Sequence, residues 1–278
     1  MNPLVEGVAA NDAKDLVNFI IMTLHSELNK VKNKDIINND SENIDQTNKN
    51  SMFKNFGKHF IMNNQSIISD LFYSPNCTIT ECGNCHTKLY NYQIYFFIIF
   101  PLEEVRKYKF NNNFNYNMIN FNNMNMNINF NEVNLYDCFN YDCKINIMNG
   151  QNLIYCNKCK MNNIGYMKTY LVTGPEILIL LLNRGKGIEF DVKINFYEDL
   201  NLYHYIEYKQ TGYNYKLIGV ITHIGESNMS GHFIAYCRDP ISNKWHKYND
   251  AIVNEVINFE NEVINFAMPY LLFYQKVK

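Results

Sequence analysis

Two groups of residues in this chain have types and spacings suited to chemistry. The first is Gly231-His232 with Asn249-Asp250, 17 and 18 residues after the histidine. His232 stands at the mouth of an apolar run, and the pair stands at the end of the next one. Antiparallel pairing of these runs brings a carboxamide or carboxylate to the imidazole. That is the base-and-orienter half of a nucleophilic triad: the imidazole takes a proton, and the Asn or Asp fixes its tautomer and ring. The glycine lets backbone or substrate come close. The competing reading is a strand-edge histidine bonded to a loop, and spacing alone favours it, since such patterns transfer poorly between families.

The second group is Cys82-Gly83-Asn84-Cys85 with Cys156-Asn157-Lys158-Cys159. A CxxC turn lets two thiolates converge on one metal, and two such turns close a tetrahedral four-cysteine site with Zn–S near about 2.3 Å. Thiolates are soft ligands, unsuited to Mg or Ca. A closed site is structural and leaves no position for water. The alternative is unpaired thiols on turns without a metal. Cys138 and Cys143 lack further ligands nearby and read as ordinary thiols. Cys237 lies an odd number of residues from His232, so strand alternation puts it on the opposite face, read as core.

Composition bounds the classes. Hydrophobic residues make up 47% and charged residues 19% of the 278, which suits one large or two small folded domains with a substantial core. The formal net charge of −2 gives no basic footprint for nucleic acid. No apolar run nears the roughly 20 residues of a membrane span. The N-terminus has neither a basic nor an apolar signal region. With eight cysteines, this points to a reducing compartment, cytoplasmic or nuclear.

The elements that must position these groups follow from local pattern. Asn11–Lys30 reads as a helix capped by Asn11 or Asp12, with Asp15 in its first turn and Leu16, Phe19, Ile20, Leu24 and Leu28 at helical spacing. Residues 31–51 are polar and aperiodic, read as a mobile loop. Phe53–Phe60 carries three aromatics and is expected to pack. Tyr92–Leu102 reads as one strand, and Asn111–Asn134 as an Asn-rich insertion. Pro175–Arg184 and Phe190–Leu202 contain strands. Leu217–Ile221 reads as a strand ended by His223-Ile224-Gly225, followed by a polar loop, the strand Phe233–Cys237, a turn at Asp239-Pro240 and the strand Trp245–Tyr248.

Tyr215–Val253 closely resembles the histidine box of the ubiquitin-specific proteases. That pattern runs tyrosine-x-leucine, an apolar strand, His-x-Gly, a loop, Gly-His-Tyr, a strand, then tryptophan, an aromatic and Asn/Asp-Asp. This chain supplies Tyr215, Leu217, His223, Gly225, Gly231, His232, Phe233, Trp245, Tyr248, Asn249 and Asp250. Phe233 stands where the family has tyrosine, so a ring remains and a hydroxyl goes. Gly7–Leu28 resembles the family's Gln-Gln-Asp-Ala box and the helix after it, through Asn11-Asp12-Ala13 and Leu24-His25-Ser26-Glu27-Leu28, with Ala10 and Asn11 in place of the glutamines. Ser66–Phe72, the paired CxxC turns, Pro175–Arg184 and Pro269–Tyr274 match the family's later landmarks in order.

The resemblance implies an α+β, papain-like ubiquitin-specific protease catalytic domain of fingers and palm, with an incomplete thumb and a four-cysteine zinc knuckle in the fingers. Within one partial domain, 1–278, it implies a thumb-side helix at 1–30, fingers at 66–170 with the insertion at 111–134, and a palm at 171–278. It implies His232 as general base, Asn249 as its orienting partner and Asp250 as polar support. By the same resemblance Asp12, and then Asp15, hold the basic tail of ubiquitin, and Cys82, Cys85, Cys156 and Cys159 hold structural zinc. The expected function is thiol-dependent hydrolysis after the C-terminal glycine of ubiquitin, on ubiquitin and ubiquitinated proteins, with no nucleic acid or membrane partner. The family's nucleophile lies in a Gly-Asn-x-Cys box upstream of the first helix. Cys77, Cys85, Cys138, Cys143 and Cys237 do not match that box, so the expectation is a chain without it: a fragment, then an enzyme completed from elsewhere, then an inactive ubiquitin-binding scaffold. A third class, a zinc-ribbon nucleic-acid binder, rests only on His86, Lys88, Lys158 and Lys160 near the CxxC turns. Palm surface left bare of thumb is expected to make the isolated chain associate.

Overall fold

The computed structural model describes residues 12–31, 45–119, 132–184, 192–227, 230–265 and 268–277. Asp12 caps the first helix, α1 (Ala13–Leu28), by accepting the Lys14 N–H at 2.8 Å. Only Ile21 of this helix is buried, packing with Val17 against the sheet below. Leu16, Phe19, Ile20, Leu24 and Leu28, expected on the core face, are instead exposed. The apolar spacing is real, but among the described residues nothing covers most of it.

The expected loop 31–51 lies mostly outside the described residues. Its end is ordered: Asn48 caps α2 (Lys49–Asn63). Phe53 and Phe56 of α2 do pack, against Cys77, Tyr92 and Val172. A reciprocal Ser66–Ser69 capping box starts α3 (Ile67–Phe72). The chain then enters β1 (Ser74–Cys82) and β2 (Lys88–Tyr95), an antiparallel pair closed by the first CxxC turn.

Tyr92–Leu102 is not one strand. Phe96 and Phe97 carry the chain from one sheet to another, and β3 (Ile98–Pro101) runs beside a strand of the larger sheet. Leu102 and Val105, both fully buried, anchor α4 (Leu102–Ile119), so the Asn-rich segment begins as helix; residues 120–131 lie outside the described set. The chain resumes with β4 (Glu132–Asn134), α5 (Leu135–Asp142), β5 (Asn146–Met148), the small hairpin β6 (Ile154–Cys156) and β7 (Met161–Asn163), and β8 (Gly165–Leu171). Strands β2-β1-β8-β5 form one sheet in that order.

The apolar run expected at Pro175–Arg184 is β9 (Ile177–Asn183), with five consecutive buried residues, as a strand covered on both faces requires. After β10 (Lys193–Asn195), paired with β4, and β11 (Asp199–Asn201) come the long strands β12 (Asn214–Ser227) and β13 (Ser230–Arg238). They are followed by β14 (Trp245–Asn249), β15 (Ile252–Glu255) and β16 (Pro269–Lys276). The larger sheet runs β15-β14-β13-β12-β16-β9-β3, with β11 also on β12. His223-Ile224-Gly225 does not end its strand; β12 runs through it with a bulge between Ile224 and Ser227. One face of this sheet packs α4, α5 and Trp245 into the main core, and the other meets α1 and α3. No described helix is long and apolar enough to cross a membrane.

Candidate active site and metal centre

The register of β13 and β14 decides whether His232 meets Asn249. Ala235 pairs with Tyr248, so Asn249 falls on the face of the sheet that His232 shares with buried Ile234 and Tyr236. The side chains meet: His232 Nε2 lies 2.5 Å from Asn249 Oδ1. A carboxamide oxygen can only accept, so this contact assigns the proton to Nε2 and leaves Nδ1 as the acceptor nitrogen. Nδ1 has no hydrogen-bond partner among the described residues. The His232 side chain is 45% exposed, near the start of β13. Asp250 follows in a two-residue turn with φ 51°, a left-handed conformation that aspartate tolerates. Its carboxylate is 3.7 Å from Nε2 but 81% exposed, so water screens its pull on the ring.

On the opposite face of β13 from His232, three aromatic rings lead from Phe233 to Asp12. Phe233 meets His223 edge-on, with centroids 4.9 Å apart, and tilts against Tyr270 at 5.5 Å. The Tyr270 hydroxyl donates to the Asp12 carboxylate, whose oxygens both lie at 2.8 Å. Burial and this carboxylate push the Tyr270 phenol far above its usual range, which keeps it a donor. Burial pushes the His223 imidazole down, against the opposing field of Asp12. Asp12 therefore fixes both a helix start and the closing strand, 258 residues away. Asp15, one turn on, is exposed; Lys14 lies 3.6 Å away, and its charge also reaches the Tyr270 phenol. Neither His223 nor Tyr270 stands out in the sequence as a partner of Asp12, because only the β13-β12-β16 order makes them neighbours.

Gly231 is required by this packing. A Cβ there would collide with the His223 ring and sit 2.8 Å from the Ile224 carbonyl oxygen. Gly231→Ala is expected to push the His223 ring aside and cost roughly 1–3 kcal/mol of stability, measurable by denaturant titration. Equal stability would mean that the ring moves freely.

The four cysteines of the two CxxC turns do converge. All four Sγ atoms lie within 4.8 Å of one another, with Cys82–Cys159 at 4.0 Å and Cys85–Cys156 at 3.5 Å. A zinc tetrahedron with Zn–S near 2.3 Å has S···S edges of about 3.8 Å, so the donor set fits that ion. The turns are alike in backbone. His86 (φ 56°) and Lys160 (φ 57°) follow the second cysteine of each, and donate N–H to the carbonyls of Cys82 (2.9 Å) and Cys156 (2.8 Å). Thr87 hydrogen bonds bring the Cys85 thiol down to about 6, toward the thiolate that a metal needs.

All eight cysteines are free thiols, and none bonds to His232 among the described residues. Cys77 and Cys138 are fully buried, and burial pushes Cys143 up to about 11. Cys237 faces away from His232, as alternation demands, but it is exposed there and not core.

Comparison with known proteins agrees with this architecture. Ubiquitin carboxyl-terminal hydrolase 2 of Bos taurus is 26% identical over 282 residues, covering 98% of this chain and 41% of the relative. The Gallus gallus protein of that name is 25% identical, over 98% of this chain and 70% of its own length. The chain thus spans about two-fifths of the cattle relative. Among solved structures, a yeast SAGA DUB module superposes with a TM-score of 0.64 at 20% identity, covering 96% of this chain and 51% of its own. The SAGA Ubp8/Sgf11/Sus1/Sgf73 DUB module bound to ubiquitin aldehyde gives 0.60 at 18% identity, covering 98% and 50%. At these identities the superpositions speak for the fold: palm and fingers, with the cysteine cluster at the fingertip. The family model described as ubiquitin carboxyl-terminal hydrolase matches residues 1–274, and the chain belongs to that family.

Proposed function

We propose that this chain carries the histidine–asparagine half of a deubiquitinating cysteine protease, which hydrolyses bonds after the C-terminal glycine of ubiquitin. The observation that carries this is His232 Nε2 held by Asn249 Oδ1 while Nδ1 stays open to a nucleophile. The proposed order of events follows from that tautomer. Nδ1 takes the proton of a cysteine thiol, the thiolate attacks the glycine carbonyl, and the imidazolium returns the proton to the leaving amine. Water then hydrolyses the thioester, with His232 again as base. None of the eight cysteines hydrogen-bonds to His232 among the described residues, and on this reading the nucleophile is a further thiol supplied to the site. The second reading, a scaffold that binds ubiquitin without cleaving it, gives this held imidazole no chemical task.

Substrate binding is assigned to Asp12 and Asp15. Their carboxylates stand at the start of α1, which packs on the sheet that carries His232, and on this proposal a basic tail running to the base passes them. The partners are ubiquitin and ubiquitinated proteins. Cys82, Cys85, Cys156 and Cys159 are assigned to structural zinc, which when bound would tie the two CxxC turns together. Free thiols throughout suit a reducing compartment, the cytoplasm or nucleus.

Titration of the full chain with ubiquitin tests the binding half. Asp15→Asn is expected to weaken ubiquitin several-fold, and to leave unchanged the binding of ubiquitin shortened by its basic C-terminal tail. Equal weakening for both ligands would remove the tail assignment. No ubiquitin binding by the unaltered chain would remove the reading itself.

A further inference from the structure

The start of α1 carries a charge that its helix does not call for. Lys14 is the second residue of α1. Aligned peptide dipoles favour acids such as Asp15 in the first turn and disfavour a cation there. Two ion pairs hold the Lys14 side chain in place, with Nζ 3.7 Å from Asp12 Oδ2 and 3.6 Å from Asp15 Oδ1. One ammonium therefore stands between the two carboxylates assigned above to the basic tail of ubiquitin.

The two acids are not equally committed. Asp12 also accepts the Tyr270 hydroxyl and the Lys14 N–H. Asp15 is exposed, and its printed partner in charge is Lys14. Lys14, Asp15 and Asn18 border a cavity of about 300 Å³ whose walls include Phe96, Phe97 and Leu181. Apolar walls of this kind focus the field of the charges beside them on an incoming ligand. That field comes from two carboxylates less one ammonium, so Lys14 cancels half of the attraction the acids alone would offer.

We propose, resting on the assignment of Asp12 and Asp15 to the tail, that Lys14 is an internal counter-ion which the basic tail must displace. A tail cation that reaches Asp15 replaces an ammonium already there, so the exchange gains less than a new ion pair would. Lys14 thereby holds ubiquitin affinity below what the two acids would give by themselves. The pairs are partly exposed, which limits the effect to a few-fold.

Titration of the full chain with ubiquitin, and with ubiquitin shortened by its basic tail, tests this. Lys14→Gln is expected to tighten ubiquitin about two- to fivefold. The gain should shrink as salt is raised and be absent for the shortened ligand. Lys14→Arg keeps the charge and should bind like the parent. Lys58→Gln, an exposed change on α2, should alter neither ligand. Lys14→Gln should melt like the parent, because the capping contact of Lys14 is made by its backbone N–H. Asp15→Asn, measured alongside, separates the counter-ion from the assignment beneath it. Ubiquitin weakened by Asp15→Asn but not tightened by Lys14→Gln would overturn the counter-ion alone. Ubiquitin indifferent to Asp15→Asn would remove the tail assignment and the counter-ion with it. Equal tightening by Lys14→Gln and Lys58→Gln would also overturn it, since net charge would then be the cause.

Discussion

Replacing Cys156 with serine is expected to release one equivalent of zinc and unfold the fingertip. The β6–β7 hairpin has strands of three residues each and, among the described residues, pairs only with itself. Isolated hairpins of that size are marginal in water. Its main-chain tie to the β1–β2 hairpin is the Gly83 N–H to the Ile164 carbonyl, at 2.8 Å. A metal held by the four thiols would supply the rest. Metal binding in zinc-finger peptides is worth about 10–16 kcal/mol near neutral pH. That matches or exceeds the roughly 5–15 kcal/mol stability of a whole domain. A strong chelator should reproduce the effect in the unaltered chain, and added zinc should reverse it. Metal content and thermal melting, measured together, check this. A serine variant that keeps its zinc and its melting temperature would mean that the cluster is an accident of packing.

The second large effect is expected at His232. On the proposal that His232 is the proton acceptor, His232→Ala in the protein supplied with its nucleophile should lower kcat by roughly 10²–10⁴. Asn249→Ala leaves the ring but frees its tautomer and orientation, so a smaller loss in kcat with little change in KM is expected. Asp250→Asn is expected to stay within about twofold, because its carboxylate is exposed and 3.7 Å away. Steady-state hydrolysis of a ubiquitin C-terminal amide separates the three. If Asp250→Asn costs more than Asn249→Ala, the orienting role belongs to the aspartate.

Much of this site was legible in the sequence because its parts are local. His232 and Asn249 sit in one hairpin, where register fixes their relation, and each CxxC turn closes its own hairpin, where turn spacing pairs its two thiols. What could not be read was set by long-range order. The Tyr270–Asp12 bond depends on which strand lies between β12 and β9, and no local pattern encodes that. Tyr92–Leu102 reads as one apolar run although the sheet changes at Phe96-Phe97, because both halves are equally apolar. The periodic face of α1 and the outward Cys237 misled for one reason: apolar spacing tells which face a residue is on, but not whether anything covers that face. The left-handed residues after each CxxC carry His86 and Lys160 where glycine would have announced the turn.

Among the described residues α1 exposes an apolar stripe, and Nδ1 of His232 has no hydrogen-bond partner. The central claim is that His232 and Asn249 serve a cysteine that is not among the eight. It is tested most directly by exposing the full chain to ubiquitin bearing a C-terminal thiol-reactive electrophile and mapping adducts by mass spectrometry. The account predicts reversible ubiquitin binding and no adduct on any of the eight cysteines, with an adduct gained when a nucleophile-bearing thumb segment is supplied. A single ubiquitin adduct on one cysteine of this chain alone would contradict it.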